Sequence, residues 1–228
     1  MARLIWGEAS SRLYEYGLDR GVLYTPDENG SYVFSYPWNG LRNVEIGAEG
    51  RETRSLYQDG NKHDIVVTEG DLEGSLSAYT YPDEFSEFEG IDELGMGIFA
   101  WDQPRHRLFG LSYRTSVGSA EKGKRHGYKI HLVYNLIATP SNTSFETITD
   151  TTDPNEFSWD LTAIPVNYPG IRPTAHFVID STKAKPYLVK MLENELYGTD
   201  TLNPTLPSMA RLQEILANGV KDVVTEPV

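Results

Sequence analysis

Apolar and polar residues alternate with a period of two through the middle of the chain. Phe109, Leu111, Tyr113, Thr115 and Val117 fall on one side and Gly110, Ser112, Arg114 and Ser116 on the other, the pattern of a strand with one buried face. Tyr128, Ile130, Leu132, Tyr134 and Leu136 then oppose Lys129, His131, Val133 and Asn135, a second long strand. The polar, glycine-punctuated stretch from Gly118 to Gly127 predicts that the two form a hairpin. The same alternation predicts strands at Phe157 to Ala163 and Ala175 to Asp180. Shorter runs at Val44 to Ala48, Thr53 to Tyr57, Lys62 to Val67 and Leu72 to Tyr81, divided by Gly50, Asp59-Gly60 and Gly70, predict a second set of hairpins.

Helical spacing enters only late. Leu188, Leu192 and Leu196 recur every four residues, with Val189 and Met191 beside them, Pro186 in the first turn and Gly198 just past the end. A shorter helix is predicted from Pro207 to Asn218, with Met209, Leu212, Ile215 and Leu216 on one stripe, Gly219 as its stop and Val220 to Val228 as a tail. The expected class is mainly β (α+β), antiparallel, with a flanking helix and a C-terminal helical segment. One β-domain over 1–198 and a segment over 199–228 is the organisation this implies; at 228 residues, two independently stable domains are not expected.

Composition sharpens this picture in three ways. The chain has no cysteine, so neither a disulfide framework nor a thiolate metal site is available. No apolar run reaches the ~20 residues of a membrane-spanning helix, and only Leu4, Ile5 and Trp6 follow Arg3 at the start, so no secretory leader and no membrane partner are expected. The net charge of -13 repels nucleic acid and anionic lipid.

Strings that resemble catalytic motifs fail in their context. Gly118 to Arg125 approaches a phosphate-binding loop, but Arg125 stands where a Ser or Thr would hold magnesium, and a strand follows where a helix is needed. Gly95-Met96-Gly97-Ile98-Phe99-Ala100 fits the dinucleotide string, yet it follows an acidic stretch and leads into Trp101-Asp102-Gln103-Pro104, so a glycine-rich turn is expected. His63, His106, His126, His131 and His176 lack helical ligand spacing, and there is no Gly-x-Ser-x-Gly elbow. No catalytic residue, cofactor or metal is expected. The 33 carboxylates and four Trp leave an alternative open, a monomeric carbohydrate-binding or carbohydrate-active β-protein.

Several strings, in order along nearly the whole chain, resemble the major tail tube proteins of siphophages, particularly those infecting actinobacteria. They are Pro37-Trp38-Asn39-Gly40-Leu41 with Val44-Glu45, Ala78 to Phe85, Phe109 to Thr115, His126 to Asn135, Pro173 to Asp180 and Leu196 to Thr199. The resemblance implies a β-sandwich or barrel of tail-tube type, flanked by a helix and assembled into hexameric rings that stack around a channel for genome ejection. It implies a virion protein made in the host bacterial cytoplasm and located in a non-contractile tail. Its partners would be further copies of itself, a tape measure protein, and tail terminator and tail tip proteins, with double-stranded DNA passing through unbound. Some relatives carry an immunoglobulin-like domain after the core, which is not expected here.

Two charge patterns then become candidate assembly features. Between Val44 and Glu73, Glu45, Glu49, Glu52, Asp59, Asp64, Glu69, Asp71 and Glu73 stand against Arg51, Arg54 and Lys62, a local net of -5. Part of this set is expected to line the lumen, where weak repulsion keeps DNA from gripping the wall, although carboxylates also serve simply to solvate an outer face. The basic loop carrying Lys122, Lys124 and Arg125 is expected to meet the acidic run Asp83 to Glu93, including Asp83, Glu84 and Glu87, on the next ring. Absent such a partner, that run reads as a solvated loop.

Overall fold

The structure is a computed structural model that describes residues 12–49, 53–59, 61–67, 71–101, 103, 107–121, 123–141, 145 and 154–221. In chain order the elements are β1 (Leu13–Pro26), β2 (Tyr32–Pro37), β3 (Leu41–Glu49), β4 (Thr53–Gln58), β5 (Asn61–Val67) and β6 (Asp71–Ala78). A 3-10 turn (Asp83–Phe85) leads into the single-turn helix α1 (Ser86–Glu89), followed by β7 (Asp92–Gly95) and β8 (Ile98–Ala100). Then come β9 (Phe109–Ser119), β10 (Gly123–Pro140), β11 (Phe157–Ala163), β12 (His176–Asp180), α2 (Pro186–Tyr197) and α3 (Met209–Lys221). The fold is mainly antiparallel β with flanking helices, as the alternation predicts.

Eight strands form one sheet in the order β2-β1-β9-β10-β11-β6-β3, with β12 also paired to β10. A bulge explains how β10 serves two neighbours on one edge. Lys129 to Val133 pair with β12 and Leu136 to Pro140 with β11, and between them Asn135 takes a left-handed φ of 52°. Four strands separate β1 from β3 in the sheet order, yet a Cβ placed on Gly21 of β1 would lie 2.7 Å from Leu41 of β3. The sheet therefore curls round on itself.

Alternation along the curled sheet builds two cores. Leu23, Leu111, Val133, Leu136, Leu76, Trp159 and Leu161 face inward with Trp38, Phe85 and Phe88. Tyr24, Ile130, Leu132 and Tyr134 face outward, where Leu188, Leu192 and Leu196 of α2 and Leu212 and Ile215 of α3 cover them. The central stretches of β9 and β10 are thus covered on both sides, and their polar residues are paired where they lie, Ser112 lying buried 3.3 Å from the Tyr24 hydroxyl and Arg114 held by Asp19 at 2.7 Å. Helix α2 follows its predicted bounds. Helix α3 starts one residue past Ser208, whose hydroxyl accepts the Arg211 N–H at 3.2 Å. It runs through Gly219 to Lys221, since one glycine weakens a helix by about 1 kcal/mol without having to end it.

Other boundaries also move. The β9–β10 connection is tighter than the sequence suggests, with strand resuming at Gly123 and a bulge following between Gly123 and Gly127. β6 stops at Ala78 rather than Tyr81. The run Asp83 to Glu93 is not a plain solvated loop, because Phe85, Phe88 and Ile91 are buried in the inner core while Asp83, Glu84 and Glu87 stay exposed.

Gly74 is where β3 and β6 come closest. An added Cβ would sit 2.0 Å from the Glu45 carbonyl oxygen and 3.0 Å from the Ile46 Cα, atoms of a neighbouring backbone that cannot rotate aside. Gly74→Ala is expected to destabilise the fold by about 3 kcal/mol, at the upper end of overpacking penalties. Urea unfolding of the variant measures this, and a shift below about 1 kcal/mol would show that β3 can move away.

Candidate functional site: assembly surfaces

The eight lumen candidates do not form one surface. Register places Glu45 opposite Ser75 and Glu73 opposite Gly47 and Thr162, so Glu45 and Glu73 share the outer face of the β3–β6–β11 region with Asp160, and all three are exposed. Glu49 and Asp71 are backbone partners at the end of the same ladder. Asp59 and Asp64 lie instead on the β4–β5 hairpin, a separate two-stranded sheet that also bears the exposed Leu56 and Tyr57. Glu52 and Glu69 lie outside the described residues.

The sheet ends in two edges. Among the described residues β3 pairs only with β6, and β2 only with β1. The Tyr32 carbonyl at the start of β2 accepts the Leu206 N–H at 3.3 Å.

The two charged groups proposed to meet across rings lie at opposite ends of β9. Lys124 is exposed beside the β9–β10 turn, 5.8 Å from the Tyr16 ring centroid, and its carbonyl accepts the Tyr16 hydroxyl. Arg125 lies in β10, and Lys122 is outside the described residues. At the other end Glu87 pairs with Arg107 within the chain. Glu89 turns inward, accepting the Trp159 indole N–H at 2.5 Å; burial pushes its carboxyl above the usual range, against the Trp159 and Tyr81 hydrogen bonds. Across β9, about ten steps of 3.3 Å separate the Leu13–Ser119 pair from the Tyr24–Gly110 end, roughly 30 Å.

The expected glycine-rich turn is present, but the exposed apolar surface around it and a histidine pair escaped the sequence patterns. The Gly95-Met96-Gly97 string is the tight turn of the β7–β8 hairpin, with all three residues at positive φ. Around it Leu94 is 72%, Met96 103%, Ile98 60%, Phe99 52% and Trp101 59% exposed, a concentration of exposed apolar side chains that makes the hairpin a candidate interaction site. With Tyr79, Asp83 and Glu87 this hairpin borders a cleft of about 940 Å³. In the histidine pair, His131 Nδ1 lies 3.0 Å from His176 Nε2, across β10 and β12.

No group of three or more metal-ligating side chains is placed to hold an ion, and no helix is long and apolar enough to cross a membrane, among the described residues. The phosphate-loop look-alike leads directly into β10, a strand.

No known protein family matches the chain, and no curated protein does. Solved structures give distant likenesses. A chain of the anti-feeding prophage baseplate is 8% identical with a TM-score of 0.34, covering 78% of this chain and 99% of that one. The sheath/tube terminator of an extracellular contractile injection system, PVC, in its extended state is 13% identical with a TM-score of 0.35, covering 73% of this chain and 97% of that one. A chain of the PVC sheath-tube complex is 14% identical with a TM-score of 0.33, covering 71% and 88%.

Proposed function

We propose that the chain is a non-enzymatic structural protein of a phage virion, the major tail tube subunit, forming stacked hexameric rings around a channel for DNA. The observation that carries this reading is the pair of sheet edges, β2 and β3, at the two ends of one curled sheet. A nine-residue edge such as β3 is normally an aggregation hazard. Two different edges on one chain form a heterologous contact, which closes into a ring when the rotation allows. The sequence resemblance points the same way. In such a ring the face carrying Glu45 and Glu73 lines the channel, and its charge holds DNA off the wall within a Debye length of about 8 Å. Tape measure, terminator and tip proteins are the partners this role requires.

Electron microscopy of the concentrated protein tests the reading. Rings or tubes are expected, with Glu45 and Glu73 on the channel wall once the tube is resolved. Persistent featureless monomers would overturn the assembly, and a basic or apolar wall would overturn the assignment of the lumen.

A charge-reversal variant, Lys122→Glu, Lys124→Glu and Arg125→Glu together, is expected to keep its fold by circular dichroism and to lose tube growth. Complementary charge sets register between stacked rings, so normal tubes from this variant would remove the basic turn from the interface.

One observation favours the alternative of a monomeric carbohydrate-binding protein: Trp101, Phe99 and Tyr79 border the large acidic cleft. Against it, Trp38 and Trp159 are 3% and 1% exposed and so cannot stack on a sugar.

A further inference from the structure

We infer that the β7–β8 hairpin is an apolar anchor whose occupant is the opposite end of a second copy of this chain, the start of β1 with the β9–β10 turn. The inference deepens the tube reading and takes from it only the idea that copies stack end to end.

Three observations carry it. First, the hairpin's exposed side chains are mainly aliphatic. Leu94, Met96 and Ile98 are more than half exposed beside Phe99 and Trp101, and flexible thioether and branched chains suit a protein surface better than a sugar ring, which seeks flat aromatic faces. A two-stranded hairpin of this size is also marginal alone. It is tied to the body at its base by the buried Ile91 and by the Gln103 N–H to the Gly90 carbonyl at 2.8 Å, so its outer face is presented rather than collapsed.

Second, the surface around it is acidic, and the opposite end of the sheet is basic and apolar. Asp83, Glu84, Glu87 and Glu93 are exposed near the hairpin. At the far end the two exposed cations Arg12 and Lys124 outnumber the one exposed carboxylate of the turn, Glu121, beside Leu13 at 47% and Tyr14 at 46%. Each end thus offers an apolar centre and a charged border of opposite sign, the composition of a specific contact.

Third, the two surfaces lie at opposite ends of β9. They cannot satisfy each other within one chain, and a contact between them is head-to-tail, which repeats along an axis.

Because the chain has no cysteine, disulfide trapping reads this contact directly. Met96→Cys and Ala120→Cys change exposed turn residues at the two ends. Under mild oxidation a mixture of the two single variants is expected to give the heterodimer and no larger species. The double variant is expected to give a ladder of linked multimers. Homodimers of Met96→Cys forming as readily as the heterodimer would reveal a hairpin-to-hairpin contact and overturn the inference. So would the absence of any cross-link, whether or not tubes are present. Saturable oligosaccharide binding that is lost in Trp101→Ala, without cross-linking, would give the cleft to a sugar instead and equally overturn it. Electron microscopy of the same samples reports separately on the tube: heterodimers without tubes would leave the head-to-tail contact standing while the tube reading fell.

Discussion

Trp159→Ala is expected to lower stability by about 3–5 kcal/mol, the usual range for emptying a large aromatic site in a core. Trp159 is 1% exposed and is surrounded by rings. Tyr81 lies 5.4 Å away, Phe85 5.2 Å and Trp38 5.9 Å, centroid to centroid, all in edge-on or tilted geometries that add to area burial. In the sheet it bridges Pro140 of β10 and Leu76 of β6, so the residue joins the central strands to the β3–β6 region. It also donates its indole N–H to Glu89 at 2.5 Å, and truncation leaves that inward carboxylate with Tyr81 but without its indole donor, a further penalty of about 1 kcal/mol. For a chain of this size the first term alone corresponds to a fall in Tm of about 6–20 °C. Trp159→Phe separates the two terms, keeping much of the ring volume while removing the donor. Calorimetry of both variants measures them, and a Trp159→Ala shift under about 2 °C would show that the aromatic cluster repacks around the loss.

Glu89 illustrates what a sequence pattern conveys and what it hides. In the acidic run it looks like Asp83, Glu84 and Glu87, yet α1 turns it toward Trp159 while the others face solvent. Charge counts carry no direction, and direction here depends on Phe85 and Phe88 seeking the core. The strands β9, β10 and β11 were legible because apolar residues recur at every second position, although the bulge at Asn135 moves Leu136 off the face of Tyr134 and into the inner core. β1 was not, since Gly17 and Arg20 take positive φ and two bulges interrupt its register with β9, so alternation fails although the strand persists. Of the candidate assembly surfaces, the acidic face at Glu45 and Glu73 is visible as charge at even spacing on alternating segments. The apolar β7–β8 hairpin is not, because five exposed apolar residues spell the same letters as five buried ones. Only the fold says which side of the molecule they occupy.

The histidine pair makes the fold sensitive to acid, and the expected sign follows from burial. His131 is 9% exposed, stacked on Tyr113 at 4.5 Å, and its Nε2 lies 3.1 Å from the Thr115 hydroxyl and 3.5 Å from Glu15. Glu15 is itself held by Lys129, and Arg42 borders the same cleft. Burial lowers the affinity of both rings for a proton; His176, which also faces His131, is pushed from 6.5 down to about 4. Between those two values the unfolded chain binds a proton at His176 that the folded chain refuses, so stability falls as pH falls through this window. At pH 5, about 1.5 units into it, the loss is about 2 kcal/mol at 1.36 kcal/mol per unit, or about 4–8 °C in Tm. Glu89, whose carboxyl is raised by burial, acts in the opposite direction, gaining stability as acid protonates it, so the wild-type profile alone does not isolate the pair. His176→Gln does, because its amide, with both a donor and an acceptor, can keep a hydrogen bond to His131 Nδ1 but cannot titrate. The variant is expected to lose less Tm than the wild type between pH 7 and pH 5, with Glu89 contributing equally to both. Parallel profiles for the two proteins would show that His176 is not the group through which acid loosens the β10–β12 pairing.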